Sequence, residues 1–109
     1  MIVSGSVQFP PGPAALTVGI LHVSVRTIAP ADAPDTELAH LAVHGVRVPA
    51  GGATVRFEVP VDLPAGTEVA VRAHADVAAT GRVQVGDLVS TARHLFPRPN
   101  LVLPLERIE

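Results

Sequence analysis

Thr67-Glu-Val-Ala-Val-Arg-Ala-His-Ala-Asp-Val77, then Ala78-Ala-Thr-Gly-Arg-Val-Gln-Val-Gly-Asp87, then Leu88-Val-Ser-Thr-Ala-Arg-His-Leu-Phe96 is the stretch that decides the fold. Val69, Val71, Ala73, Ala75 and Val77 share one face of an extended strand. Glu68, Arg72, His74 and Asp76 share the other, with Ala70 among them. A period of two is the mark of a half-buried strand. Gly81 and Gly86 punctuate the connection after it, and a second β-rich run starts at Leu88. The stretch reads as a hairpin with an elaborated loop, and the rest of the chain as strands packed around it.

Upstream, Val3, Gly5, Val7 and Phe9 alternate with Ser4, Ser6 and Gln8, and Pro10-Pro11-Gly12-Pro13 ends that strand. Leu21, Val23 and Val25 alternate with Ile20, His22, Ser24 and Arg26. Val18 and Ile20 place apolar groups on both faces, which suits a central strand. Pro30-Ala31-Asp32-Ala33-Pro34-Asp35 is a turn-rich connection. Asp35-Thr36-Glu37 has the residues for a short helical turn but little room for one. From Leu38 to Val48 the apolar face changes around Gly45, which implies a bulge or bend between two shorter strands.

Val55, Phe57 and Val59 then alternate with Thr54, Arg56 and Glu58. Leu101, Leu103 and Leu105 form the last strand. Pro104 restricts it to an edge, or to pairing in which its missing N–H is not needed. About seven β-regions at intervals of roughly 8–15 residues predict a single domain over residues 1–109. The predicted fold class is an all-β antiparallel β-sandwich, immunoglobulin-like or transthyretin-like. Val55, Phe57, Val69, Val71 and Ala73 are expected to be buried, and Arg56, Arg72 and His74 exposed.

Composition narrows the function classes. The chain has 109 residues, 48% of them apolar, enough for a core and too many for disorder. Phe9, Phe57 and Phe96 are its only aromatic residues of the Phe/Trp/Tyr kind, so Val, Ala and Leu must fill the interior. The basic residues are eight scattered arginines within a net charge of −2. That gives neither a basic stripe nor stacking platforms for nucleic acid. The absence of cysteine excludes disulfides and thiolate chemistry. No run approaches membrane-spanning length. Strand-like Ile2-Val3 directly after Met1 leads us to expect no signal peptide. A periplasmic or envelope location would then need a leader already removed; otherwise the location is cytoplasmic.

Three groups of residues could carry chemistry. Asp76 to Asp87 has the length of a calcium loop, with Asp76 at position one, Gly81 at six and Asp87 at twelve. Ala78 at position three cannot ligate and Thr80 at five is a weak donor. Asp76 and Asp87 are therefore candidate metal ligands for which a plain hairpin loop is the competing reading, and no calcium effect is expected at low millimolar concentration. His22, His40, His44, His74 and His94 are the second group. His40 and His44 would lie roughly 13 Å apart along a strand, too far for one metal. His22 and His74 become cross-strand neighbours on an outer face if their strands pair. Otherwise the imidazoles are scattered over the surface. Third, Ser90-Thr91 and Arg93-His94 alternate between faces, and no nucleophile elbow, phosphate loop or paired catalytic carboxylates appear. No enzyme activity and no cofactor are expected.

Val3-Ser4-Gly5-Ser6-Val7, Val23-Ser24-Val25 with Ala31-Asp32-Ala33-Pro34 and Leu38-Ala39, and Val55-Arg56-Phe57-Glu58-Val59-Pro60-Val61-Asp62 resemble the YbaY/YscW family of small bacterial envelope lipoproteins. So does Ala73-His74-Ala75-Asp76 with Gly81-Arg82-Val83 and Gly86-Asp87-Leu88-Val89-Ser90-Thr91. The resemblance spans nearly the whole chain and implies a β-sandwich without enzymatic activity. Some relatives are pilotins, which bind a secretin subunit and guide it to the outer membrane. The expected absence of a leader departs from the pattern, as do the absence of any Cys for a lipobox and Ala78 and Thr80 where acid-rich relatives carry acids. No site residue is carried over. The resemblance implies a chaperone-like module that binds another protein, and an exposed sheet edge supplies the physical mode. A metal-binding or metal-stabilised domain and a purely structural domain are the alternatives.

Overall fold

The alternating stretches all become strands. The computed structural model describes residues 1–29 and 33–109, so Pro30–Asp32 of the predicted proline-rich connection fall outside it. The strands are β1 (Ile2–Phe9), β2 (Leu16–Arg26), β3 (Glu37–Val48), β4 (Ala53–Pro60), β5 (Val69–Asp76), β6 (Leu88–Ser90), β7 (His94–Phe96) and β8 (Val102–Arg107). They take up more than half of the chain, and the described residues contain no helix. Glu37 already belongs to β3, so the helical turn allowed for at Asp35–Glu37 does not form.

Pairing runs in one path, β3-β2-β5-β6-β8-β1-β4, with β7 beside β5. The path curls on itself nearly to a barrel. Its end strands β3 and β4 are joined by the turn over residues 49–52 and meet there. β8 is the joint of this path: residues 102–104 pair with β1 and residues 105–107 with β6. Pro104 sits at the changeover, inside the sheet and not at its edge, where a missing N–H is tolerated. The expectation of a wholly antiparallel sheet fails at one pair. β1 and β8 run parallel, with Val7 opposite Leu103. They lie at opposite ends of the chain, so no hairpin dictates their direction. The sixth predicted region also divides: Thr91–Arg93 leave the sheet, separating β6 from β7.

The interior is aliphatic. Val3, Val7, Leu21, Val23, Val25 and Leu103 are fully enclosed, with Phe9 and Phe57 beside them. Burying each such side chain contributes roughly 1.5–3 kcal/mol. Val69, Val71 and Ala73 are buried as predicted, and Arg56 and Arg72 are exposed. Val55 is only half-buried, because β4 ends the path and has a neighbour on one side alone. His74 is half-buried and not exposed, because the loop after β5 folds over its face.

The face change in β3 falls where the sequence placed it. Ala39, Leu41 and Val43 lean inward before Gly45, and Val46 and Val48 after it. Gly45 turns the chain at a φ of 67°, a conformation glycine adopts without steric cost. No residue is inserted, since Val18 pairs Val46 and Ile20 pairs His44 in unbroken register. β2 changes face at the same level, from Val18 to Leu21. The register shift lies elsewhere, between Val25 and Arg26.

Candidate functional site

The outer face of β2 and β5 carries the polar residues of both alternating patterns. His22 and His74 are directly paired across these strands, as the sequence allowed. Their rings stack with centroids 5.5 Å apart. His40, opposite Ser24 on β3, completes a row of imidazoles: His22 Nδ1 lies 2.8 Å from His40 Nε2. His40 Nδ1 in turn lies 3.0 Å from Glu37 Oε1. Three of the five histidines are thus gathered, which sequence spacing did not show. His44 stays exposed farther along β3.

Asp76 is the next outward residue after His74, yet it is 0% exposed, and Asp87 is 1% exposed. The cover is the segment 77–87. It can lie close because Gly19, beneath it, has no side chain: a Cβ there would stand 2.9 Å from the Val77 carbonyl oxygen. Gly19 N–H donates to that carbonyl at 3.0 Å.

Both carboxylates are used to hold the segment. Asp76 accepts Thr80 N–H on Oδ1 at 3.0 Å and Gly81 N–H on Oδ2 at 2.9 Å. Asp87 accepts Val77 N–H on Oδ1 at 3.1 Å and Gln84 N–H on Oδ2 at 3.2 Å. Asp87 Oδ2 is also 2.8 Å from His74 Nε2, and Asp76 Oδ2 is 3.7 Å from His22 Nε2. The two residues that spacing singled out therefore converge, together with His74. Their donor atoms lie within 4.8 Å of one another. The calcium-loop order is not reproduced around them. Thr80 gives Asp76 its backbone N–H, while its hydroxyl donates to the Arg82 carbonyl.

Burial alone would raise the pKa of Asp76. The N–H bonds from Gly81 and Thr80, with His74 and His22 nearby, outweigh it and hold the carboxyl below its ordinary value. His22 is shifted down by burial and by repulsion from His40 and His74, against the pull of Asp76.

Beyond the histidines the face opens into a groove of about 850 Å³, walled on one side by Ser90–His94. Its far end is closed by Asp35, which binds Arg26 at 2.9 Å and Arg72 at 3.1 Å. The Arg26 bond, followed by charge from Arg72, lowers the Asp35 pKa. Ser90 is committed to structure: its hydroxyl accepts Ala73 N–H at 3.0 Å, replacing a ladder bond where β6 leaves β5. His94 enters the groove wall with Nε2 buried and without a hydrogen-bond partner among the described residues, and burial, then Arg98, lowers its pKa.

No protein-family model and no curated protein matches the sequence. The fold defines a small all-β domain. It is similar to the solved structure of an alternative pilotin from the type II secretion system of Vibrio cholerae, with a TM-score of 0.62 and 20% identity. The match covers 99% of this chain and 96% of that one.

Proposed function

We propose that this protein is a non-enzymatic protein-binding module of the bacterial cell envelope, pilotin-like in action and akin to the YbaY/YscW lipoproteins. The observation that carries the reading is the end-to-end correspondence with a pilotin, which leaves almost no part of either chain unmatched. In this reading the curled sheet acts as a two-layer sandwich whose layers share β8. The described residues include no helix long and apolar enough to cross a membrane.

The edge strand β3 supports a mode of binding. Among the described residues it pairs only with β2; it runs for 12 residues and contains no proline. Its first half lies away from the turn that joins it to β4, and Leu38 there is an exposed large apolar residue. An extended segment of a partner would add to this edge through main-chain hydrogen bonds, with apolar side chains seated near Leu38.

The test is calorimetric titration of the full chain with peptides from the carboxyl-terminal segment of an outer-membrane secretin subunit of the same genome. The expected result is saturable one-to-one binding, weakened at least tenfold by Leu38→Asp. If no such segment binds the folded chain, the pilotin reading is wrong.

A further inference from the structure

We propose that His22, His74, Asp76 and Asp87 form a binding site for a divalent transition metal of the zinc type, beneath the 77–87 segment. The proposal does not depend on the pilotin reading.

Three of the four residues already converge. The donor atoms of His74, Asp76 and Asp87 lie within 4.8 Å of one another, and His22 Nε2 stands 3.7 Å from Asp76 Oδ2. Tetrahedral zinc with bonds near 2.0–2.1 Å holds its donors about 3.4 Å apart. Small side-chain rotations bring the four into range. The carboxylates have capacity to spare. Each Asp76 oxygen accepts one backbone N–H, and a carboxylate oxygen can accept two bonds. At His74 a metal takes the place of the contact between Nε2 and Asp87 Oδ2, now 2.8 Å apart.

Two arguments point to a cation beyond this proximity. Two carboxylates are enclosed side by side, and among the described residues the basic side chains within ion-pair distance are the imidazoles of His22 and His74, beside the backbone N–H groups that the carboxylates accept. Buried charge of one sign is costly unless compensated. The surroundings also resemble the outer shell of a metal site, in which ligands are oriented by further hydrogen bonds. His22 is fixed through Nδ1 by His40, and His40 by Glu37. The carboxylates are fixed by backbone N–H groups of the segment above them.

The donor set selects the metal. Calcium takes six to eight oxygens, and here two carboxylates supply the only charged ones. Two imidazoles with two carboxylates and no sulfur suit zinc, with cobalt as its spectroscopic substitute.

The experiment titrates the chelator-treated full chain with zinc chloride by calorimetry, follows its melting, and repeats the titration with cobalt chloride in the visible spectrum. The expected result is one zinc per chain with micromolar or tighter affinity. Melting should rise on the order of 10 °C at a hundredfold excess over Kd, with d–d bands of four-coordinate intensity for cobalt. His22→Ala and His74→Ala should each weaken zinc at least tenfold. These variants leave the backbone bonds to both carboxylates in place, and circular dichroism checks that they fold. His44→Ala, on the exposed stretch of β3, should bind zinc as the parent does. Low-millimolar calcium should leave melting unchanged. The proposal is overturned by any of three outcomes: no zinc response up to about 1 mM, zinc binding that survives both histidine variants, or binding lost with His44→Ala.

Discussion

Single atoms decide how the 77–87 segment sits. A methyl group at residue 19 would meet the Val77 carbonyl oxygen and the Ala79 Cβ, both at 2.9 Å. One obstacle is backbone, so the segment must lift as a whole. Gly19→Ala is expected to cost about 1–3 kcal/mol in urea unfolding. Gly51→Ala, in open space, should cost far less. His94 is a second residue-scale test. Burial, with Arg98 nearby, lowers its folded-state pKa below the ordinary 6.5. Between those two values the unfolded chain binds more protons than the folded one, so stability falls as pH falls below about 6.5. The loss from this group ends once pH is below the lowered value, and its slope cannot exceed about 1.4 kcal/mol per pH unit. His22 acts in the same sense. His94→Gln should therefore flatten, without abolishing, the fall in stability between neutral and mildly acidic pH, as followed by denaturant midpoints. An unchanged slope would show that the half-buried imidazole titrates as it does in the unfolded chain.

At the scale of the element, the 77–87 segment behaves as one unit stapled at both ends by carboxylates. Asp76→Asn keeps the shape but turns one acceptor oxygen into an N–H₂ that faces the Thr80 or Gly81 N–H. In the metal-free protein this should cost about 1–3 kcal/mol, the range for a buried group left unsatisfied. Hydrogen exchange at the amides of Thr80 and Gly81 should speed up while that of Val23 and Val25 follows global stability. Equal changes at all four amides would mean that the staple is not local. This element also shows where sequence reading stops. Alternation in 69–77 gave the inward Val69, Val71 and Ala73, and the break at Gly45 gave the change of face in β3. Period-two logic assigned Asp76 to a solvated face, because it knows only the two sides of a strand. What buries Asp76 is the return of residues 77–87, a tertiary event set by Gly19 more than 50 positions earlier. The pairing of His22 with His74 was legible as a condition on strand order. The link to His40 was not, since it needs the register of β3 on β2.

For the whole molecule, the question is whether the sheet unfolds as one body. β1 and β4 connect to β6, β5, β2 and β3 only through β8 in the pairing path. Leu103 is fully buried at this joint, on the strand that pairs β1 on one side and β6 on the other. Leu103→Ala should cost about 2–5 kcal/mol, because rigid neighbours on both sides collapse poorly onto the space it leaves. The cost alone would not tell a joint from any other core position. The distinguishing expectation concerns cooperativity. Around one shared core, far-UV circular dichroism and the amide signals of β1 and of β2 should lose structure at the same urea concentration, in the parent and in the variant. If β8 only bridges two bodies that are stable by themselves, weakening it should separate the transitions, with β1 and β4 melting apart from β2 and β5. A single coincident transition shifted to lower urea is the outcome that the continuous pairing path requires.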